Sequence, residues 1–549
     1  MSRFSFFGLP LTVALLWGAL FASSLVLPSV NTEIFASPDE TAVAVSLTRI
    51  AKTGSGTVDE PLAPAFPWLH PRSYVATGET IAPVGFLGWP WWLAQLHRVL
   101  PLIPLVWLAS LLAASGVIPW YFLLRTRFGA AAAWWGTALA WTFPPVLLYV
   151  NRSFFSHLPQ YSAALWALLV LVTLLHTHQP STRRKALMQI GAGVLMGISL
   201  SFRPVEALWL LPLIGLVYAS FGTIPWRKQG MVLVGMLLGL LPLCIVQAQT
   251  YGSWFQVGYW VQSNTDPTAV TIPQQISAVA RPWYYAIAPY GLHPRNVLWN
   301  VQSFFLNFLW PWVVALGLGG VVLVVLQRQA APLRSMRQLF LQAKQTLSAH
   351  APALLIGSFV FSWLLLVYGS GLYTDHVRFG AITVANSFLR YTLPFGFFFA
   401  WCMASVYARV STKAPSFRMI FVTIALILVG LGVHSAFTRD EEGILATRRE
   451  LIRYATIREA ARTAFQPTDV ILSERSDKIF FPVLRAMSPM PTAEQIRAFA
   501  RVSTSTGLGL FSRPLSFSDR DAWRKMGYDV RELQAFDRER LYRLTPFLR

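Results

Sequence analysis

Two adjacent carboxylates, Asp39 and Glu40, follow the first hydrophobic segment of the chain in the sequence Ser-Pro-Asp-Glu. A carboxylate just outside a membrane can take a proton from an acceptor hydroxyl as that hydroxyl attacks its substrate, which is general-base chemistry. The alternative is helix capping, because an apolar run follows Asp39 and acidic side chains are favoured at helix N-termini. The pair therefore has two interpretations, a catalytic base and a helix cap.

Arginines beside rings and carboxylates recur on the side of the membrane where Asp39 is expected. Guanidinium groups bind phosphate oxygens through paired donors and stay charged at the bilayer edge. Taken singly, each arginine is also explained by snorkelling to the interface or by pairing with a neighbour. The candidates for substrate binding are His70, Arg72, Arg203, Glu206, Arg378, Arg390 and Tyr391.

Arg203 and Glu206 also have a purely structural interpretation. If a helix continues across Pro204, the two side chains share a face and neutralise each other. His157 and His376 are isolated histidines, which are more typical of a core or interface than of a metal site, and we predict no metal site. No cofactor is expected either, and a requirement for a divalent metal is left open.

The composition predicts a membrane protein that crosses the bilayer many times. Of 549 residues, 54% are hydrophobic and 13% charged, and the mean hydropathy of +0.49 is far above that of a soluble domain. A span needs about 20 apolar residues. We count about eleven such runs, near residues 10–30, 99–124, 128–150, 158–175, 186–202, 204–222, 229–250, 297–326, 351–373, 391–408 and 417–436.

The orientation follows from the short connections that are rich in Lys and Arg, since cytoplasmic connections carry the excess. This places the amino terminus in the cytoplasm, and Asp39 and the carboxyl-terminal segment outside. The first span is interpreted as an uncleaved anchor, although the small residues 22–24 would also suit a signal peptide. The basic connections contain Arg125 and Arg127; Arg183, Arg184 and Lys185; Arg227 and Lys228; Arg328, Arg334, Arg337 and Lys344; Arg409, Lys413 and Arg418.

The net charge of +21 raises the question of nucleic-acid binding. Residues 439–549 contain 20 basic and 15 acidic residues, so only +5 of this charge lies in the carboxyl-terminal segment. The rest lies in the membrane part, where it marks the cytoplasmic side and can face anionic lipid headgroups or a lipid-linked phosphate. No nucleic-acid partner is expected.

Two domains are predicted: a multi-span membrane core over residues 1–437, with a long first outside loop at 31–98, and a small α/β soluble domain over 438–549. The loop is expected to carry two interfacial helices, one from Thr41 and one over 81–96. In the tail we predict helices over 441–464 and 492–501 and from Ser518, which forms a capping box with Asp521. The predicted strands begin at Val470, Gly507 and Arg540.

These features together resemble the GT-C glycosyltransferases, a superfamily that includes protein O-mannosyltransferases and bacterial aminoarabinose transferases using polyprenyl-phosphate donors. The resemblance covers the membrane core and rests on the acidic pair, the long first loop and an Arg-Tyr-x-x-Pro motif from Arg390 to Pro394. It implies that Asp39 is the catalytic acidic residue, Glu40 its partner, and Arg390 a candidate ligand of the donor phosphate. The aromatic pair common in the family after the two acids is absent.

The expected activity is therefore inverting transfer of one sugar from a polyprenyl-phosphate to a lipid, glycan or protein acceptor outside the cytoplasm, at the bacterial inner membrane. The main alternative is a transporter or flippase of lipid-linked sugars. Transporters usually carry ionisable residues or broken helices near the bilayer midplane, whereas these spans are almost free of charge. A third alternative is a non-catalytic membrane scaffold that presents its tail.

Overall fold

The computed structural model describes residues 10–28, 33–177, 181–222, 229–265, 290–330, 357–373, 381–488, 490–502 and 506–547. The prediction of a mainly α protein is confirmed, with 67% helix. Within these residues, five helices are long and apolar enough to cross a membrane, or six when one bent pair is counted as a span. The chain is thus an integral membrane protein, and the count of eleven spans stays a prediction.

The candidate spans lie where the sequence pattern predicts them. The five are Leu105–Phe128, His157–His176, Thr182–Phe202, Gly230–Tyr251 and Pro415–Thr438. Shorter apolar helices cover Leu11–Ser24, Pro204–Ala219 and Gly357–Tyr368. The other helices of this part of the chain include Ala130–Trp141, Pro144–Asn151, Pro294–Asn300, Ser387–Tyr391 and Pro394–Lys413.

Two predicted spans are broken rather than continuous. The run at 128–150 is interrupted between Ala130–Trp141 and Pro144–Asn151, since the two prolines at 144 and 145 lack the N–H groups that would continue the first helix. The run at 297–326 bends by 83° between Pro294–Phe308 and the helix that begins at Trp310. Prolines stand at both breaks, Pro144 and Pro145 at the first and Pro311 at the second, whereas Pro242 lies within the continuous helix Gly230–Tyr251.

An asparagine completes the hydrogen bonding at another helix end. The π-helical turn Leu364–Tyr368 ends at Gly369, and no further helical turn supplies a backbone N–H to the carbonyl of Gly369. The side-chain amide of Asn300, which is 1% exposed, donates to the carbonyl oxygens of Gly369 at 2.8 Å and Gly371 at 3.0 Å. A buried amide thus replaces the missing backbone donors.

Two helices approach each other closely through glycines spaced four residues apart. Gly193 and Gly197 on Thr182–Phe202 face Gly235 and Gly239 on Gly230–Tyr251. A Cβ atom on Gly197 would lie 2.2 Å from the carbonyl oxygen of Met236. Small residues at such spacing allow close backbone packing in membranes, where van der Waals contact drives helix association.

The described chain divides into two compact units. One comprises residues 1–25, 107–241 and 273–446, and the other comprises 26–106, 242–272 and 447–549. The second unit thus combines the first loop with the carboxyl-terminal segment. The predicted boundary between residues 437 and 438 stays a prediction.

The second unit contains two sheets. In the first loop, β1 (Val58–Asp59), β3 (Thr80–Pro83) and β2 (Tyr74–Thr77) form an antiparallel sheet in that order. The tail has a five-stranded sheet in the order β5 (Arg485–Met487), β4 (Val470–Ser473), β6 (Leu508–Ser512), β8 (Glu539–Pro546) and β7 (Tyr528–Phe536). β4 is parallel to β5 and β6, whereas β8 is antiparallel to β6 and β7.

Loop and tail share a hydrophobic core in this unit. Ala42, Tyr74 and Ile81 of the loop pack in one cluster with Phe480 and Phe481 of the tail. The helices of the unit are Pro38–Thr53, Gly88–Val99, Gly258–Thr265, Ile444–Ala464, Asp477–Phe480, Ala493–Val502 and Phe517–Lys525. Neither part buries its apolar face alone.

Several local predictions need correction. The second interfacial helix begins at Gly88 rather than residue 81, because residues 80–83 form β3. The capping box of the helix Phe517–Lys525 is formed by Ser516 and Asp519, two residues earlier than predicted. The hydroxyl and the backbone N–H of Ser516 both donate to the carboxylate of Asp519 and lower its pKa. The strands β5 and β7 were not predicted, since the first is very short and the second is mostly exposed and polar.

The glycine contact predicts the effect of one methyl group. Gly197→Ala places a Cβ against a fixed carbonyl, so we expect a loss of about 1–3 kcal/mol in the free energy of unfolding. Gly191→Ala on the same helix meets no atom within 4 Å and is the matched control. The measurement is the unfolding temperature in detergent. Equal temperatures for both variants would contradict the close contact.

Candidate functional site

Asp39 lies in the first turn of the helix Pro38–Thr53. Ser37 caps this helix, its hydroxyl accepting from the backbone N–H of Asp39 at 3.2 Å, and the helix ends at Gly54 with φ +83°. The side chain of Asp39 is half-buried, and Glu40 is 5% exposed. Both acids therefore sit at the positive end of a helix, as the capping interpretation requires, and in a fixed position, as a base requires.

A hydroxyl group from the second half of the loop holds the carboxylate of Asp39. The Oγ of Ser73 donates to Oδ1 of Asp39 at 2.6 Å. The backbone of Ser73 has φ +62°, a left-handed conformation that residues other than glycine seldom adopt. Strained backbone of this kind persists only where the surroundings fix it, and it clusters at functional sites.

Arg72 is held by the tail. Its backbone N–H donates to Oδ2 of Asp477 at 2.8 Å, and its Nε donates to Oδ1 of the same residue at 2.9 Å. A third donor, Nη2, reaches the carbonyl of Arg475. Asp477 is 1% exposed. In this arrangement the guanidinium of Arg72 joins loop to tail, while the Nδ1 of the neighbouring His70 lies 3.0 Å from the carbonyl of Pro71.

Further charged contacts connect loop and tail. Glu60 and Arg485 form an ion pair at 3.3 Å, and burial raises the pKa of Glu60, an effect that Arg485 and the N–H of Leu62 oppose. Arg458 of the tail donates to the carbonyl of Glu33 at 3.2 Å. Burial lowers the pKa of Arg458 to about 10, so it remains charged at neutral pH.

A second group of candidate residues lies around Glu206, in the unit that comprises residues 1–25, 107–241 and 273–446 and is called the membrane unit below. The helix Thr182–Phe202 ends before Arg203, and a 3₁₀ turn, Pro204–Glu206, brings Arg203 and Glu206 together without the continuous helix that the sequence suggested. Nε of Arg203 donates to Oε1 of Glu206 at 3.0 Å, and the hydroxyl of Tyr368 donates to the same oxygen at 2.9 Å. The carboxylate is fully buried.

Arg390 and Tyr391 lie on the short helix Ser387–Tyr391, which Asn386 caps by accepting from the N–H of Phe388. The motif's proline, Pro394, starts the next helix, so the Arg-Tyr pair is placed at a helix junction. The guanidinium of Arg390 lies over the ring of Phe155, 4.3 Å from its centroid, and donates to Ser387 Oγ at 3.0 Å.

Tyr391 is the centre of this group. Its ring stacks on Tyr368 at 4.3 Å and 8°, the guanidinium of Arg203 lies 5.2 Å from its centroid, and His157 meets its edge at 5.2 Å. Tyr290 adds a hydroxyl contact of 3.3 Å. A buried guanidinium over an aromatic ring gains about 2 kcal/mol where water is excluded. The ring thus helps to keep positive charge inside the unit.

Sequence reasoning missed Tyr368, Phe155, Ser73 and Asp477 and gave His157 no part in the site. Their partners lie far away in sequence, 162 residues for the bond between Tyr368 and Glu206 and 405 for that between Arg72 and Asp477, so no local spacing signals them. Arg378 lies outside the described residues. Among the residues described, no group of three or more His, Cys, Asp or Glu side chains is placed to hold a metal ion.

Sequence comparison finds no matching family model and no matching curated protein. The crystal structure of ArnT from Cupriavidus metallidurans in the apo state superimposes with a TM-score of 0.51 at 12% identity, covering 96% of this chain and 98% of ArnT. The structure of the same protein bound to undecaprenyl phosphate gives 0.49 at 13% identity, with 96% and 97% covered.

Along nearly its full length, the chain therefore has the fold of ArnT, which is a GT-C aminoarabinose transferase. The resemblance predicted from the acidic pair and the long first loop is confirmed at the level of the fold.

The buried pair at Glu206 predicts a large effect on stability. Glu206→Ala leaves the charge of Arg203 without this partner in a buried place, which we expect to cost about 3–5 kcal/mol in the free energy of unfolding. Glu459→Ala, which breaks the exposed pair with Arg462, is the control and should cost about 1 kcal/mol or less. Unfolding temperatures in detergent compare the two variants, and equal losses would contradict a buried, mutually dependent pair.

Proposed function

We propose that the protein is an inverting glycosyltransferase that moves one sugar from a polyprenyl-phosphate to an acceptor hydroxyl. The observation that carries the proposal is the fixed carboxylate of Asp39, just after the first apolar helix, in a chain that shares the fold of ArnT. ArnT has also been crystallised with undecaprenyl phosphate, and a lipid of this class is the donor carrier we propose.

Asp39 acts as the general base in this reaction. Its carboxylate takes the proton of the acceptor hydroxyl while the hydroxyl oxygen forms a bond to the anomeric carbon. The bond from that carbon to the phosphate oxygen breaks, and the electron pair leaves with the polyprenyl phosphate. Attack on the face opposite the phosphate inverts the configuration. Glu40, the neighbouring buried acid, helps to orient the acceptor.

Arginines stabilise the departing phosphate. Arg203 and Arg390 are 9% and 7% exposed, and in such surroundings a guanidinium interacts with phosphate oxygens more strongly than in water. Both guanidinium groups lie near the ring of Tyr391, 5.2 Å from its centroid for Arg203 and 5.3 Å for Arg390. Arg378 is a further proposed ligand. His70, Arg72 and Glu206 are proposed to support substrate binding.

The proposed topology has eleven spans, a cytoplasmic amino terminus, and the acidic pair and the α/β tail outside the cytoplasm, at the inner membrane of a bacterium. The regular alternation of basic connections supports it. Broken helices and buried ionisable residues also occur in transporters of lipid-linked sugars, but the shared fold of ArnT supports transfer over transport.

Asp39→Asn tests the proposed base. The amide keeps the size of the side chain but removes the basic oxygen, so transfer should fall by about two to four orders of magnitude while binding of undecaprenyl phosphate survives. Asp59→Asn is the matched control, since Asp59 lies in the same loop with 77% of its side chain exposed. The assay follows release of undecaprenyl phosphate from undecaprenyl-phosphate-linked pentoses and hexoses, in nanodiscs containing the source organism's membrane lipids. Wild-type transfer by Asp39→Asn would rule out this base.

Arg390→Lys tests the phosphate ligand. The ammonium keeps the charge but loses the planar pair of donors, so affinity for undecaprenyl phosphate and turnover should fall together, each by about tenfold or more. Arg439→Lys is the control, because Arg439 is exposed and also lies over a ring, that of Phe308. Affinity is measured by binding of labelled undecaprenyl phosphate to purified protein. A fall in turnover with unchanged affinity would contradict a role in holding the phosphate.

A further inference from the structure

The two stretches of chain that flank Asp39 in space are both held by one turn of the tail. Asp477 accepts two hydrogen bonds from Arg72, the residue before Ser73. Lys478, the next residue, donates through Nζ to the carbonyl of Ala36, just before the cap of the helix that carries Asp39. Adjacent side chains of the turn Asp477–Phe480 thus reach both stretches.

The contact continues from Asp477 to the carboxylate of Asp39. With Arg72 fixed by Asp477, the next residue adopts φ +62°, and its hydroxyl then donates to Oδ1 of Asp39 at 2.6 Å. The carbonyl of Ser73 accepts from the N–H of Val84 at 2.8 Å, so the strained residue is held on both sides. The left-handed backbone is what this network of bonds maintains.

Packing of Tyr74 supports the same conclusion. Its ring is 1% exposed and lies 4.9 Å from that of Phe481 in the tail, while its hydroxyl donates to the carbonyl of Ala42 on the helix of Asp39 at 3.4 Å. The side chain therefore lies between helix and tail. Burial raises the pKa of Tyr74, which keeps the hydroxyl protonated.

We propose that the carboxyl-terminal segment is part of the catalytic apparatus: Asp477, acting through Arg72 and Ser73, positions the carboxylate of Asp39. Asp477 and Ser73 are positioning residues, since neither is required to touch a substrate. This inference rests on the proposed function, in which Asp39 is the base. It gives the tail a role in the transfer step that differs from binding an acceptor or a partner.

Two variants test the positioning role. Ser73→Ala removes the donor to Asp39, and Asp477→Asn weakens the hold on Arg72. Each should lower kcat by about 10–100-fold, as for a displaced reacting group. Ser73→Ala, which leaves the side chain of Arg72 untouched, should also leave KM for the undecaprenyl-phosphate-linked sugar unchanged. Asp469→Asn is the control, since Asp469 is also buried in the tail but accepts from Gln466 and Gly507 of the tail itself.

The same substitutions in an Asp39→Asn background separate positioning from general damage. With the base already removed, Ser73→Ala and Asp477→Asn should lower the residual rate by less than about twofold, because coupled residues do not contribute additively. A full 10–100-fold loss in that background would overturn the positioning role. So would wild-type kcat for both single variants while Asp39→Asn is impaired, a result that leaves the proposed function intact. Wild-type transfer by Asp39→Asn would instead overturn the proposed function itself.

Hydrogen exchange gives a readout that needs no turnover. In the full chain, Asp477→Asn should speed amide exchange at residues 37–41 and 72–74 by about tenfold or more, because their bonds to the tail are weakened. Asp469→Asn should speed exchange near residues 466 and 507 only. Unchanged exchange at residues 37–41 in Asp477→Asn would contradict the connection from the tail to the helix of Asp39.

Discussion

The ion pair between Arg72 and the buried Asp477 is the interaction on which the rest of the second unit depends. It joins positions 405 residues apart, and both the backbone and the guanidinium of Arg72 take part. A carboxylate that is 1% exposed is stable only when its oxygens are fully used. Asp477 satisfies that condition by accepting from Arg72 of the first loop. Loop and tail also share a core of aromatic and aliphatic side chains.

The membrane unit, in contrast, keeps positive charge among buried, mostly apolar side chains. Arg203 and Arg390 are buried, and both guanidinium groups lie near the ring of Tyr391. Glu206 is the only buried acid among the residues described in this unit, and it is shared by Arg203 and Tyr368. Rings and one carboxylate together therefore stabilise two cations among apolar side chains.

The composition and the length of the apolar runs predict most of the fold. The apolar helices and strands such as β4 are local features, and the sequence predicts them within a few residues. The predictions that were wrong also have physical reasons. Edge strand β7 lacks an apolar pattern. The helix cap was predicted two residues too late, because Ser518 and Asp521 have the same spacing as the actual capping pair, Ser516 and Asp519. Candidate residues such as Asp39 were identifiable by type, whereas partners such as Ser73 depend on tertiary contacts.

The buried amide of Asn300 has a consequence for how the protein is assembled in the membrane. Before Asn300 packs against them, the carbonyls of Gly369 and Gly371 lack the two bonds from its amide, and a carbonyl without a donor is costly wherever water is excluded. The segments that meet here are separated by about 70 residues of chain, so the segment that ends at Gly369 does not satisfy its own last carbonyls. The hydrogen bonding of this helix end is therefore complete only after both segments are in place.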